Sequence, residues 1–187
     1  MKKSFSLFIA IAGLLLTLNL SLLAQEETVV SKLYYTEFGG PGLIMSANFD
    51  GRFKSNTQLG FGYRIGAGFG VKKFNDKRVD DPNTGDTHYE EVQRSIYAFP
   101  IGLNYVFGKP KAKSSFEVGG GISLLSREVS LFNYEIKKQG HVLGFVTFMY
   151  RIMPVNGGYS FRIGFTPIIG TAGDMFPMGA ISFGYAF

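Results

Sequence analysis

The chain of 187 residues has no cysteine, no tryptophan and only 2 histidines. The absence of cysteine excludes disulfide staples and thiolate metal sites. A domain of this size can do without staples if it buries enough apolar surface. The basic excess is also small, a formal net charge of +5, to which Lys2 and Lys3 contribute. No long basic run accompanies it, so nucleic acid is not an expected partner. Beyond Leu23, no apolar run approaches the roughly twenty residues that a membrane-spanning helix requires.

What is abundant is equally specific: 19 Phe, 10 Tyr and 25 Gly. Lys2 and Lys3 precede an apolar stretch from Phe5 to Leu23, and the small residue Ala24 comes before Gln25 and two glutamates. This pattern predicts a secretory signal peptide over residues 1–24, cleaved after Ala24, with an uncleaved anchor helix as the alternative. Residues 25–187 then form one domain. An exported, aromatic-rich chain without spanning helices has two destinations, a soluble periplasmic β domain or a membrane barrel.

From Gln58 to Val71 the sequence alternates, with Leu59, Phe61, Tyr63, Ile65, Ala67, Phe69 and Val71 on one face. The other face carries Gln58, Arg64 and five glycines. A period of two is that of a strand. Its length exceeds the five or six residues usual in soluble sheets and suits the roughly 9 to 11 of a tilted spanning strand. The signature recurs in Ser95 to Phe107, Phe116 to Leu124, Val142 to Ile152, Tyr159 to Pro167 and Ala180 to Phe187. The second face is mostly Gly, Ala, Ser and Thr, where a soluble sandwich would carry long charged side chains. Small residues suit a narrow barrel interior, which leaves the bulky face toward lipid. A spanning sheet must then close on itself, because lipid tolerates no unpaired backbone. A soluble lipocalin-like barrel, with its apolar residues inside, is the rival.

Short connections at Lys54 to Asn56, Gly108 to Lys113 and Pro154 to Gly158 alternate with longer charged ones at 72–92 and 127–139. That alternation fits tight periplasmic turns and larger outer loops. Val29 to Phe38 and Leu43 to Asp50, joined through residues 39–42, supply the first pair, although residues 33–50 could be a single bulged strand. The fold class predicted is all-β: an antiparallel up-and-down transmembrane β-barrel of about eight strands, preceded by a cleavable signal helix.

The terminal run Ile181-Ser182-Phe183-Gly184-Tyr185-Ala186-Phe187 resembles the closing strand of outer-membrane β-barrel proteins. That strand typically ends on Phe, with apolar residues at alternate positions. Where the family often has glycine five residues before the end, this chain has Ser182. With about eight strands, residues 25–187 are similar to the small OmpA/OmpX-type barrels. The resemblance implies an outer-membrane location, and recognition of Ile181, Phe183, Tyr185 and Phe187 by the barrel-assembly machinery. It implies no activity, because small barrels host many roles.

Projected inward, the alternation collects Glu37, Asp50, Arg52, Arg64, Glu117, Arg151 and Arg162. A buried charge is costly unless paired, so these predict an ion-pair network filling the lumen, or else a charged constriction gating a pore. A lipid A-modifying enzyme would need His, Ser and a carboxylate together near the outer leaflet. His141 with Ser126, Ser130 and Glu128 offers that composition, and a solvated loop histidine is the simpler reading; His88 lies in the longest connection. Asp80 to Asp86, with Glu91 twelfth from Asp80, suggests a calcium loop, but Pro82 takes a ligand position and no helices flank it. The clustered glycines from Gly60 to Gly70 are not a phosphate loop, since strand alternation runs straight through them. No catalytic, metal or cofactor site is expected. The predicted role is non-enzymatic, in envelope structure, adhesion or surface interaction. A narrow pore is the alternative, and the lipid A-modifying enzyme ranks below both. Predicted partners are outer-membrane lipid, lipopolysaccharide and the assembly machinery, with the barrel a monomer.

Overall fold

The computed structural model describes residues 29–80, 87–129, 140–170 and 173–187, with backbone alone for 73–80, 87–92 and 129. The predicted signal segment, residues 1–24, lies outside the described residues. Ten strands form one sheet: β1 (Lys32–Gly39), β2 (Met45–Arg52), β3 (Gly60–Asp80), β4 (Thr87–Gly108), β5 (Ser114–Val129), β6 (Gly140–Ile152), β7 (Gly158–Phe165), β8 (Ile168–Ile169), β9 (Met175–Phe176) and β10 (Gly179–Ala186). Eight of them close a ring in the order β1-β2-β3-β4-β5-β6-β7-β10, with β10 returning to β1. Every pairing in the ring is antiparallel, and all join chain neighbours except β7 with β10, between which the short β8 and β9 intervene, and the closing β10–β1 seam. The chain is an all-β, closed, up-and-down barrel, the architecture of the small barrels that its last strand resembles.

The inside-out pattern follows the alternation. Phe61 is 65% exposed and Leu103 59%, while Arg64, one position out of phase with Phe61 and Tyr63, is 3% exposed. On the last strand Ile181, Phe183, Tyr185 and Phe187 face outward, and Ala180, Ser182 and Ala186 are buried. Phe187 completes the seam: its amide donates to the Lys32 carbonyl at 3.0 Å, and the Lys32 amide donates to the Phe187 carbonyl at 3.2 Å. Its ring stacks on Tyr34 across that seam, with centroids 5.3 Å apart.

Residues 33–50 form two strands, not one bulged strand, since Leu33 pairs Asp50 and Phe38 pairs Met45. The connection between them folds inward. Gly40, Pro41 and Gly42 form a turn of 3-10 helix, all three buried. Gly39, Gly40 and Leu43 hold positive φ angles of 75°, 69° and 74° to make that reversal, a conformation that glycine accepts at little cost and leucine does not.

Three expectations are corrected. The connection expected over 72–92 is largely ladder, pairing from Lys72↔Arg94 to Asp80↔Thr87. The one expected over 127–139 begins later, because β5 runs to Val129. The alternation of the sequence stops at Val71, so no period of two marks the ladder beyond it as strand. Pro167, expected outward, is buried. The registers Phe165↔Gly179 and Ile168↔Phe176 lie on one continuous ladder that sets Pro167 against Pro177. Two residues without an N–H interrupt that ladder and divide one long hairpin into the pairs β7–β10 and β8–β9.

Candidate functional site in the barrel interior

The interior is filled in three layers. At the end carrying the longer connections, Ile96, Ala98, Leu125, Leu143, Phe145 and Ile168 form a buried apolar cluster, with Leu43 and Met178 packed against it. The inward-folded Pro41 belongs to this end, where the Ser123 hydroxyl donates to its carbonyl at 2.7 Å from the opposite wall. At the short-turn end, Leu33, Tyr35, Met153 and Ala186 cluster with Val30. The Gln58 amide spans that mouth and donates to the Pro154 carbonyl at 2.7 Å.

Between them lies the charged layer. Glu37, Asp50, Arg52, Arg64, Glu117, Arg151 and Arg162 are all buried. Asp50 accepts from Arg52 Nη2 at 2.6 and 2.7 Å and from Arg151 at 3.2 and 3.3 Å, and Asn104 also donates to it. Glu117 accepts from Arg151 Nη1 and Arg162 Nη2, each at 2.7 Å. Glu37 pairs with Arg64, accepts from Ser182 at 3.0 Å and lies 3.9 Å from Arg162 Nη1. The Arg162 guanidinium sits over the Tyr35 ring, 4.2 Å from its centroid, a cation–π geometry strengthened by the burial of both side chains. Several bonds tie strands that are not neighbours, such as Arg151 on β6 to Asp50 on β2. Breaking one such pair typically costs about 3 to 5 kcal/mol, since it strands a buried charge.

Glycine makes room for this layer. A methyl at Gly62 would overlap the Arg52 guanidinium, and one at Gly66 would overlap the Asn48 amide. Among the described residues, three buried carboxylates face four guanidiniums, an excess of one positive charge. Arg64 Nη1, Arg151 Nε, Arg162 Nε and Nη1, the Tyr35 hydroxyl and the Ser160 hydroxyl have no hydrogen-bond partner among the described residues.

Sequence reasoning had not assigned Asn48, whose Oδ1 accepts from Arg64 at 3.1 and 3.3 Å. The signal was available, because Ser46, Asn48, Asp50 and Arg52 alternate on one face. Tyr35 and the Pro41 turn carried no comparable signal. Nor did the large apolar residues inside β6, Leu143, Phe145 and Met149, which depart from the small-inside pattern.

His141 and Glu128 do meet, at 3.6 Å, and both are more than half exposed. The His141 Nδ1 lies 3.1 Å from the Leu125 carbonyl. The Ser126 hydroxyl oxygen instead accepts from the Tyr97 amide at 2.9 Å. Ser130 and most of the Asp80 to Asp86 loop lie outside the described residues, and His88 is described in backbone only.

No family model matches the chain, and no curated protein matches it. Among solved structures, the chain is similar to the N-terminal β-barrel domain of Pseudomonas aeruginosa OprF. The TM-score is 0.49 at 11% identity, covering 87% of this chain and 100% of that one. The closure and strand count given above rest on this chain's own strand pairing.

Proposed function

We propose that the chain is an integral barrel of a bacterial outer membrane, with a non-enzymatic structural or surface-interaction role and a lumen that does not conduct. The observation that carries the membrane reading is the inversion of polarity across the wall. Glu37 and Arg162 are at most 1% exposed, while Phe183 is 56% and Phe148 50% exposed. A continuous apolar belt of this kind far exceeds the patches that soluble monomers leave open to water, and a closed sheet leaves no spanning edge unpaired. The short-turn end, with the closing strand Ile181 to Phe187, is assigned to the periplasm, and the β3–β4 ribbon to the exterior, where lipopolysaccharide is its expected neighbour. The assembly machinery would read the same terminal strand. The three filled layers support a sealed, load-bearing interior. Fractionation and a heat-modifiability gel test the reading: a membrane-bound band whose mobility shifts on boiling is expected, and a soluble, unshifted pool would defeat it.

A second reading is a narrow pore. It draws on the guanidinium nitrogens that have no hydrogen-bond partner among the described residues and on the excess of buried positive charge among those residues, which would favour small anions. Conductance in planar bilayers that changes with Arg64→Gln or Arg162→Gln would support it.

A further inference from the structure

The half of the lumen toward the longer connections departs from the small-residue filling of the wall's inner face. Leu125, Leu143, Phe145 and Ile168 converge there with Ile96 and Ala98, all buried. The chain covers them with a piece of itself: the Gly40–Gly42 turn folds inward at the end of the β1–β2 hairpin, and Leu43 packs against the cluster. Glycines cradle that piece. A methyl at Gly68 would overlap the Gly42 carbonyl, and one at Gly70 would press on the Leu43 side chain at 2.9 Å.

Holding the turn inside is costly. Leu43 has φ 74° and ψ −117°, a region that a bulky side chain enters only where its surroundings impose it, and such residues gather at ligand clamps and switch segments. Gly39 and Gly40, at the other end of the turn, also hold positive φ, where glycine meets little steric resistance. The Ser123 hydroxyl ties the turn across the lumen, donating to the Pro41 carbonyl at 2.7 Å. Ser123 is 1% exposed, so once the turn leaves, its hydroxyl is a buried donor facing an apolar chamber. The charged layer begins at the floor of that chamber. Arg64 lies 5.8 Å from the Phe145 ring, and among the described residues buried guanidiniums outnumber buried carboxylates by one.

We infer that the inward turn is a displaceable stand-in for a ligand, and that the chamber beneath it takes a medium-chain fatty acid. The alkyl chain replaces Pro41 and Leu43 among the aliphatic side chains, and the carboxylate replaces the Pro41 carbonyl as acceptor from Ser123. The excess of guanidinium charge below selects an anionic head over an ester. Both ends of the turn stay in the ladder, the Gly39 amide donating to the Ile44 carbonyl and the Ile44 amide to the Phe69 carbonyl, each at 3.0 Å. Movement is therefore confined to residues 40–43. This goes beyond the structural role proposed above, of which the sealed lumen is the unliganded state.

The test uses the chain refolded into phosphatidylcholine vesicles, with decanoic acid carrying a terminal diazirine as the probe and mass spectrometry to map where light attaches it. Saturable labelling of Leu125, Leu143 or Ile168, competed by unlabelled decanoate, is expected. The outward Ile101 and Leu103 should instead take up label in proportion to the probe. Methyl decanoate, the uncharged ester, should compete about tenfold less well, and Ser123→Ala should weaken decanoate by about tenfold, the effect of one hydrogen bond to a charged group. Ser115→Ala, at a buried hydroxyl toward the short-turn end, should change nothing. Hydrogen exchange at the Leu43 amide, which donates to the Gly40 carbonyl at 3.1 Å, should quicken with decanoate while the Ile44 amide stays protected. Label confined to outward residues, lumen label that does not saturate, equal competition by the ester, an equal loss in Ser115→Ala, or a Leu43 amide indifferent to decanoate each overturns the inference. A chain that does not float with the vesicles counts against the membrane reading, and the labelling is then read on the soluble barrel.

Discussion

Arg151 and Arg162 stand directly opposite each other on β6 and β7, and Glu117 takes one guanidinium on each of its carboxylate oxygens. Like charges facing each other across a ladder repel, and here the repulsion is offset by an anion reaching over from β5. The interior therefore depends on a three-residue arrangement, and ladder neighbours alone do not describe it. Asp50 shows the same logic: its ladder partners are Leu33 and Arg64, yet its bonds go to Arg52, Arg151 and Asn104.

Removing the bridge should be costly. Glu117→Gln is expected to destabilise the barrel by about 3 to 5 kcal/mol, because two buried guanidiniums then face each other without their shared carboxylate. Urea unfolding in lipid vesicles measures it. Adding Arg162→Met should recover part of the loss, a coupling that a double-mutant cycle isolates. A neutral single variant would refute the bridging role.

The lipid-facing wall gives a test that separates a membrane barrel from a soluble one. Ile101 faces outward near the middle of the apolar stretch of β4 and is 45% exposed. In a bilayer Ile101→Arg should cost about 2 to 4 kcal/mol at the midplane. On a water-facing wall the same change would be close to neutral, and equilibrium unfolding in vesicles distinguishes the two.

The interior glycines should be intolerant in a position-dependent way. Gly66→Val drives a side chain into the Asn48 amide that holds Arg64, with an expected cost of about 1 to 3 kcal/mol or failure to fold. Gly179→Ala is the control, since its new carbon would meet nothing closer than the Gly164 carbonyl at 3.8 Å. Comparable losses of the heat-modifiable band in both variants would contradict the packing argument.

The apolar layer should act as the seal. Phe145→Ala removes a buried ring between the Pro41 turn's end of the barrel and Arg64, which lies 5.8 Å from that ring. The expected cost is about 3 to 5 kcal/mol. Planar-bilayer recordings should be silent for the wild type and show brief openings in this variant. Steady wild-type conductance would favour the pore reading.

Most of the wall was legible because a barrel strand obeys one rule at every second residue. Phe61, Ile65, Ile101 and Phe183 report the outside, and Arg64, Glu117, Arg162 and Ser182 the inside, without knowledge of any partner. The ribbon beyond Val71 escaped that rule, because the alternation of bulky apolar and small residues stops there in the sequence. The proline pair was hidden for a different reason: Pro167 and Pro177 become opposed only once the hairpin register is fixed.

The sequence by itself determined the period of two, the polarity of each face and the closing strand that ends on Phe187, all of which depend on neighbours along the chain. Only the tertiary structure decided which arginine meets which carboxylate and that the Gly40–Gly42 turn folds into the lumen. Those relationships join strands far apart in sequence. They are fixed by closure and by the stagger between strands, and no local pattern encodes either.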